Sequence, residues 1–162
     1  MKTTLVIGYG NPDRQDDGVA LQTLIRLAQN LGRPIPGQPE EGFIPMGINP
    51  DFWFDLQLLP EMVQTVAGYE RICFIDAHTG QVPEEIQVTP LAGFYQPSVL
   101  THHMTPATFL SLCQAVNNKT PEAILVSVRG YHFGFGRLLS PQTESLVDQA
   151  VKIIETWMQV IS

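Results

Sequence analysis

The stretch Leu5-Val6-Ile7-Gly8-Tyr9-Gly10-Asn11-Pro12-Asp13-Arg14-Gln15-Asp16-Asp17-Gly18-Val19-Ala20 restricts the fold more than any other part of the chain. An unbroken apolar run ends at Gly8, and two glycines and a proline then turn the backbone. Paired aspartates follow, just ahead of a segment with helical periodicity, so the pattern predicts strand, tight loop, helix. Two carboxylates are thereby delivered to the mouth of a sheet.

A glycine loop at a helix N-terminus invites a dinucleotide, whose pyrophosphate needs close backbone approach and the positive helix end. Here Gly8 and Gly10 are present, but Asp13 stands where the third glycine of that fingerprint belongs. Asp16 and Asp17 add negative charge where a phosphate would lie, so a cation is the better guest. Asp is a favoured N-cap, and acidic residues in a first turn are stabilised by the helix dipole. Asp16 is therefore read as the cap and Asp17, since one cap suffices, as a functional residue.

Beyond this loop, Val19, Ala20, Leu21, Leu24, Ile25, Leu27, Ala28 and Leu31 recur at helical spacing until Gly32 and Pro34, which predicts a helix over about 17–31. Residues 33–49 are rich in Pro and Gly and read as a long loop without a packed element of its own. Phe52-Trp53-Phe54 with Leu56 reads as a short strand, and Pro60–Ala67 as a helix with Pro near its first turn. Arg71-Ile72-Cys73-Phe74-Ile75-Asp76 is a second apolar strand ending in an aspartate, and Ile86 and Val88 mark a weaker one. Thr105-Pro106 opens a helix through Val116, Ala123–Val128 is a third core strand, and Ser140-Pro141 opens the last helix, which carries Leu146, Val147, Val151, Ile154 and Trp157. Strands alternating with helices imply an α/β fold, a three-layer α/β/α sandwich with a mostly parallel central sheet.

With 162 residues and 44% apolar content, the chain suits one domain over 1–162. A net charge of −7 argues against nucleic-acid or anionic-membrane partners, which need clustered Lys and Arg. No apolar run approaches the roughly 18 residues of a membrane span, and Met1-Lys2-Thr3-Thr4 has no leader-like pattern, so a cytoplasmic location is expected. Cys73 and Cys113 lie in apolar patterns and read as buried, inert thiols.

Right-handed crossovers put the C-terminal ends of parallel strands on one edge, where ligands of open α/β sheets gather. Asp17, Asp76 and the loop Thr101-His102-His103 converge there. Two carboxylates and an imidazole make an oxygen and nitrogen donor set with open positions, suited to nickel, zinc or manganese. His78 reads as a supporting group near Asp76, and His132 as structural. Tyr131-His132-Phe133-Gly134-Phe135 reads as an aromatic cluster packing a loop. Ser98 and Ser127 lack the nucleophile-elbow setting, which disfavours a serine hydrolase.

Gly8-Tyr9-Gly10-Asn11, followed after four residues by Asp16-Asp17-Gly18, resembles the N-terminal signature of the hydrogenase maturation endopeptidases. That family trims the C-terminal extension from the large subunit of nickel-iron hydrogenases. Its signature usually continues with a further glycine, where this chain has Ala20. Gln57-Leu58-Leu59-Pro60-Glu61 and Phe135-Gly136-Arg137-Leu138-Leu139-Ser140-Pro141 are similar to two more family segments, and the likeness spans nearly the whole chain except 33–49. The resemblance implies that Asp17, Asp76 and His103 are the catalytic, metal-contacting residues, with His102 the alternative because adjacent histidines blur the register. It also implies a nickel ion carried by the substrate, which zinc or another divalent ion could replace, and a nickel-iron hydrogenase large-subunit precursor as partner; separately, a monomer is expected. Gly8-Tyr9-Gly10-Asn11-Pro12 also looks like the opening of the peptidyl-tRNA hydrolases, but residues 13–24 lack the catalytic histidine of that family. A metal-dependent chaperone that grips the precursor without cutting it is the non-enzyme alternative.

Overall fold

The computed structural model describes residues 2–91 and 104–159. In chain order it contains β1 (Thr4–Tyr9), α1 (Val19–Asn30), β2 (Asp51–Asp55), α2 (Met62–Val66), β3 (Arg71–His78), β4 (Ile86–Leu91), α3 (Pro106–Asn117), β5 (Glu122–Arg129) and α4 (Pro141–Gln159). The strands form one five-stranded sheet in the order β2-β1-β3-β5-β4. β1, β2, β3 and β5 run parallel, and β4 joins β5 antiparallel at the edge.

Because side chains alternate across a strand, each parallel strand feeds two cores. Val6, Cys73, Ile75, Val126 and Val128 face α1 and α4, where Leu21, Leu24, Leu27, Val147, Val151 and Ile154 are buried. Leu5, Ile7, Ile72, Phe74 and Ala123 face α2 and α3, where Met62, Val63, Val66, Phe109, Leu110 and Cys113 are buried. This is the three-layer sandwich expected from the alternation of apolar runs, with both faces of the sheet dry.

Local chemistry explains the element ends. The α1 helix stops where Gly32 takes φ +67°, with Gly32 N donating to Gln29 O (3.2 Å) and Arg33 N to Ala28 O (2.8 Å), the paired bonds of a Schellman cap. Thr105 caps α3 by accepting from Thr108 N at 3.2 Å. Three expectations need correction. A 3₁₀ turn over Gln15–Gly18 precedes α1, so the helix proper begins at Val19. β2 ends at Asp55, and Leu56 lies outside it, 58% exposed. Residues 33–49 include a short 3₁₀ turn (Pro39–Glu41) and are tied down, because the buried Asp51 carboxylate accepts from the backbone N–H groups of Met46, Gly47 and Ile48, and Phe43 bridges to Phe54.

Candidate functional site

The carboxyl ends of β1, β2 and β3 open onto a cleft of about 320 Å³ lined by Tyr9, Gly10, Arg14, Asp17, Leu56, Gln57, Leu58, Asp76, Ala77 and Met104. Asp17 reaches it because the loop after β1 folds tightly on itself. Gly10 has φ +146°, and a Cβ there would lie 2.2 Å from the Asp17 carbonyl oxygen, so only glycine permits this approach. Asn11 N donates to Asp17 Oδ2 at 2.7 Å, and Asp17 N donates to Arg14 O at 3.1 Å. Asp17 Oδ1 accepts no hydrogen bond among the described residues.

Asp76 sits near the end of the central strand and is held from two sides. Tyr9 Oη donates to its Oδ2 at 2.8 Å, and Ser127 Oγ, directly opposite on β5, donates to its Oδ1 at 2.6 Å. Burial raises the Asp76 carboxyl above its ordinary range and the neighbouring Asp17 charge adds to this, while the Ser127 and Tyr9 hydroxyls oppose it. The Tyr9 phenol is raised as well, by burial first and then by Asp76, so it stays a proton donor. Two carboxylates that repel each other across one cleft form a site whose electrostatics favour an incoming cation.

The structure therefore brings Asp17 and Asp76 to one cleft. Ser98, Thr101, His102 and His103 lie outside the described residues. Among the described residues, no group of three or more His, Cys, Asp or Glu side chains is placed to hold a metal ion. His78 shares the sheet face of Asp76, two residues on, and is buried. Gly80 N donates to its Nδ1 at 3.1 Å, which assigns the ring proton to Nε2, a buried donor without a partner among the described residues. Both cysteines are buried, as expected. Burial pushes the Cys113 thiol up to about 11 and the Cys73 thiol higher still, so neither is a thiolate near neutral pH.

Asp16 is not the helix cap that its position suggests. No side-chain cap bond forms at the 3₁₀ turn or at α1. Its carboxylate is fully buried and accepts from Tyr131 N (2.8 Å), His132 N (2.9 Å), Ser140 N (2.7 Å) and Ser140 Oγ (2.7 Å). Burial alone would raise its pKa, but the hydrogen bonds from Ser140, Tyr131 and His132 outweigh it and hold the carboxyl below its ordinary value. Asp16 thus clamps the 131–140 segment to the loop that carries Asp17. His132 is structural through its backbone, while its side chain is exposed. The Tyr131–Phe135 tract is not a packed aromatic cluster either, since Phe135 is 99% exposed.

Sequence reasoning missed Tyr9 and Ser127 as the groups that hold Asp76, because their role depends on strand register. It also missed Arg14, which lines the cleft, bridges through its backbone to Gly136 and donates from its guanidinium to Phe133 O at 3.3 Å. No described helix is long and apolar enough to cross a membrane.

By sequence, no protein-family model and no curated protein matches the chain. By structure, the chain is similar to the hydrogenase maturating endopeptidase HybD from E. coli, with a TM-score of 0.70 and 16% identity over 97% of this chain and 92% of that one. It is also similar to the [NiFe] hydrogenase maturation protease HybD from Thermococcus kodakarensis, with a TM-score of 0.62 and 21% identity over 96% and 98% of the two chains. The [NiFe] hydrogenase maturation protease HycI from the same organism gives a TM-score of 0.63 and 17% identity over 96% and 91%. At these identities the likeness establishes a common fold along nearly the full chain, as the sequence resemblance anticipates.

Proposed function

We propose that this chain is a cytoplasmic endopeptidase that removes the C-terminal extension of a nickel-iron hydrogenase large-subunit precursor after nickel has been inserted. The observation that carries the reading is the pair Asp17 and Asp76, set on one cleft at the carboxyl edge of a sheet whose fold is that of proteins named hydrogenase maturation endopeptidases. The nickel belongs to the substrate. Asp17, Asp76 and His103, or His102 in its place, complete its coordination, and Tyr9 and Ser127 orient the Asp76 carboxylate by donating to its two oxygens. Oxygen and nitrogen donors without a thiolate make a poor trap for free nickel, so an ion already anchored by substrate thiolates is the natural partner of this set.

Incubating nickel-loaded and metal-free precursor with the protein and measuring intact mass tests the proposal. Shortening of the loaded precursor alone is expected. Equal trimming of the metal-free form would replace the nickel bridge with a conventional protease, and binding without shortening would make the chain a chaperone. Asp17→Asn and Asp76→Asn keep shape and remove charge, and should cost more than the 10–100-fold typical of outer-shell changes. The Asp76 carboxyl has a folded pKa raised above its unfolded value, so its ionised form burdens the fold at neutral pH and that burden vanishes as pH falls below the unfolded pKa. Asp76→Asn should therefore lose cleavage at pH 7 without lowering Tm. A large drop in Tm would mark Asp76 as structural.

A further inference from the structure

We infer that the 131–139 loop is a docking surface on which Phe135 and Leu138 insert into an apolar recess of the folded precursor. This rests on the protease reading above and adds the means by which the body of the substrate is gripped.

The loop has no regular element, yet it is tied to residues 13–16 along its length. Besides the Asp16 clamp, Gly134 N donates to Gln15 Oε1 (2.9 Å), Gln15 N to Gly136 O (2.8 Å) and Gly136 N to Asp13 O (3.0 Å). Arg137 Nε donates to Asp13 Oδ1 at 2.7 Å. Gln15 takes φ +47° to make its contacts, a left-handed conformation that a non-glycine residue adopts at a cost in strain. All this restraint holds up side chains that stand almost wholly in water, with Phe135 99% and Leu138 82% exposed, the two most exposed large apolar residues among those described. Scattered apolar residues on a surface need no explanation, but a loop clamped along its length that presents a phenyl ring to water does. Preorganised aromatic anchors are what protein interfaces use at their centres, because the ordering cost is already met before binding.

Position selects the occupant. Phe133, Gly134 and Phe135 line a recess of about 390 Å³ with Asn11, Asp13 and Arg14, and Arg14 also lines the cleft of Asp17 and Asp76. Arg14 therefore borders both hollows. A precursor whose C-terminal tail lies in the cleft brings its folded body up to the rim that Arg14 shares with this loop, and that adjacency selects the precursor as the occupant.

Phe135→Ser and Leu138→Ser test the inference in the full chain, with Phe135→Leu as the conservative control. Titration calorimetry against nickel-loaded precursor should give a Kd weakened about 10-fold or more by Phe135→Ser and largely restored by Phe135→Leu. In cleavage assays KM should rise by a similar factor with kcat little changed, and Tm should stay constant. Unchanged Kd in both serine variants would overturn the docking surface and leave the protease reading intact. A fall in kcat with unchanged Kd would also overturn it, giving the loop the role of positioning Asp17. Sedimentation showing a wild-type dimer that Phe135→Ser dissociates would overturn it in favour of self-association. Binding does not require cleavage, so a wild-type protein that binds but never cuts would sink the protease reading while the Kd comparison still decides the docking surface.

Discussion

Four donors converge on the fully buried Asp16 carboxylate. An amide there would set its own N–H groups against these donors, so Asp16→Asn should cost about 3 kcal/mol at neutral pH, measured by urea unfolding. The pH dependence follows from the depressed folded pKa of Asp16. Its stabilisation is fully present above the unfolded value of about 4 and is lost as pH falls through the folded value. The gap between wild type and Asp16→Asn should therefore be wide at pH 6 and much narrower at pH 3. A constant gap would show that the charge is not what holds the loop. Asp17, half-buried beside it with one bonded oxygen, should tolerate Asn with little loss of stability. Adjacent aspartates thus divide architecture from chemistry, which their identical side chains conceal.

At the scale of elements, the position of Asp17 depends on how closely α1 sits on β1. A Cβ at Gly8 would lie 2.7 Å from Leu24 Cδ1, 3.2 Å from Ala20 Cβ and 3.3 Å from Ala20 O. The first neighbour can rotate away, but the helix backbone cannot. Gly8→Ala should push α1 off the strand, costing about 1–3 kcal/mol in thermal or urea unfolding and lowering cleavage by moving the loop at the head of the helix. Full activity with unchanged Tm would show that the contact is slack. The stop of α1 at Gly32 and the Thr105 cap on α3 are legible from residue type alone, because caps and stops are local chemistry. The antiparallel edge strand β4 was legible only as a strand, since its direction is set by its partner.

For the molecule as a whole, the two cores share β1, β3 and β5, so neither helical layer has an independent base. Leu24→Ala on the α1/α4 side, at about 2–5 kcal/mol, and Phe109→Ala on the α2/α3 side, at about 3–5 kcal/mol, should lower one common unfolding transition. The chain's two tryptophans report on opposite sides, Trp53 in the α2/α3 core and Trp157 against the other. Within each single-tryptophan variant, Trp53→Phe or Trp157→Phe, the urea midpoints read by tryptophan fluorescence and by far-UV circular dichroism should coincide. Separate midpoints would mean that the layers melt independently.

The apolar runs, the helical periodicities and the Gly and Pro breaks determined by themselves the order of elements and the layered α/β architecture. With the fixed hand of parallel crossovers, they also put Asp17 and Asp76 at one edge of the sheet. These features are legible because periodicity encodes which face of an element is dry. Tertiary structure alone decided that Asp16 clamps a distant loop, that Tyr9 and Ser127 hold Asp76, and that Phe135 stands in solvent instead of packing. Each of these depends on partners that strand register and loop closure bring together from far apart in the chain, from Tyr9 to Asp76 and from Asp16 to Ser140. Periodicity says that a side chain is covered or bare. Which donor meets which acceptor is set by geometry that exists only once the sheet has formed.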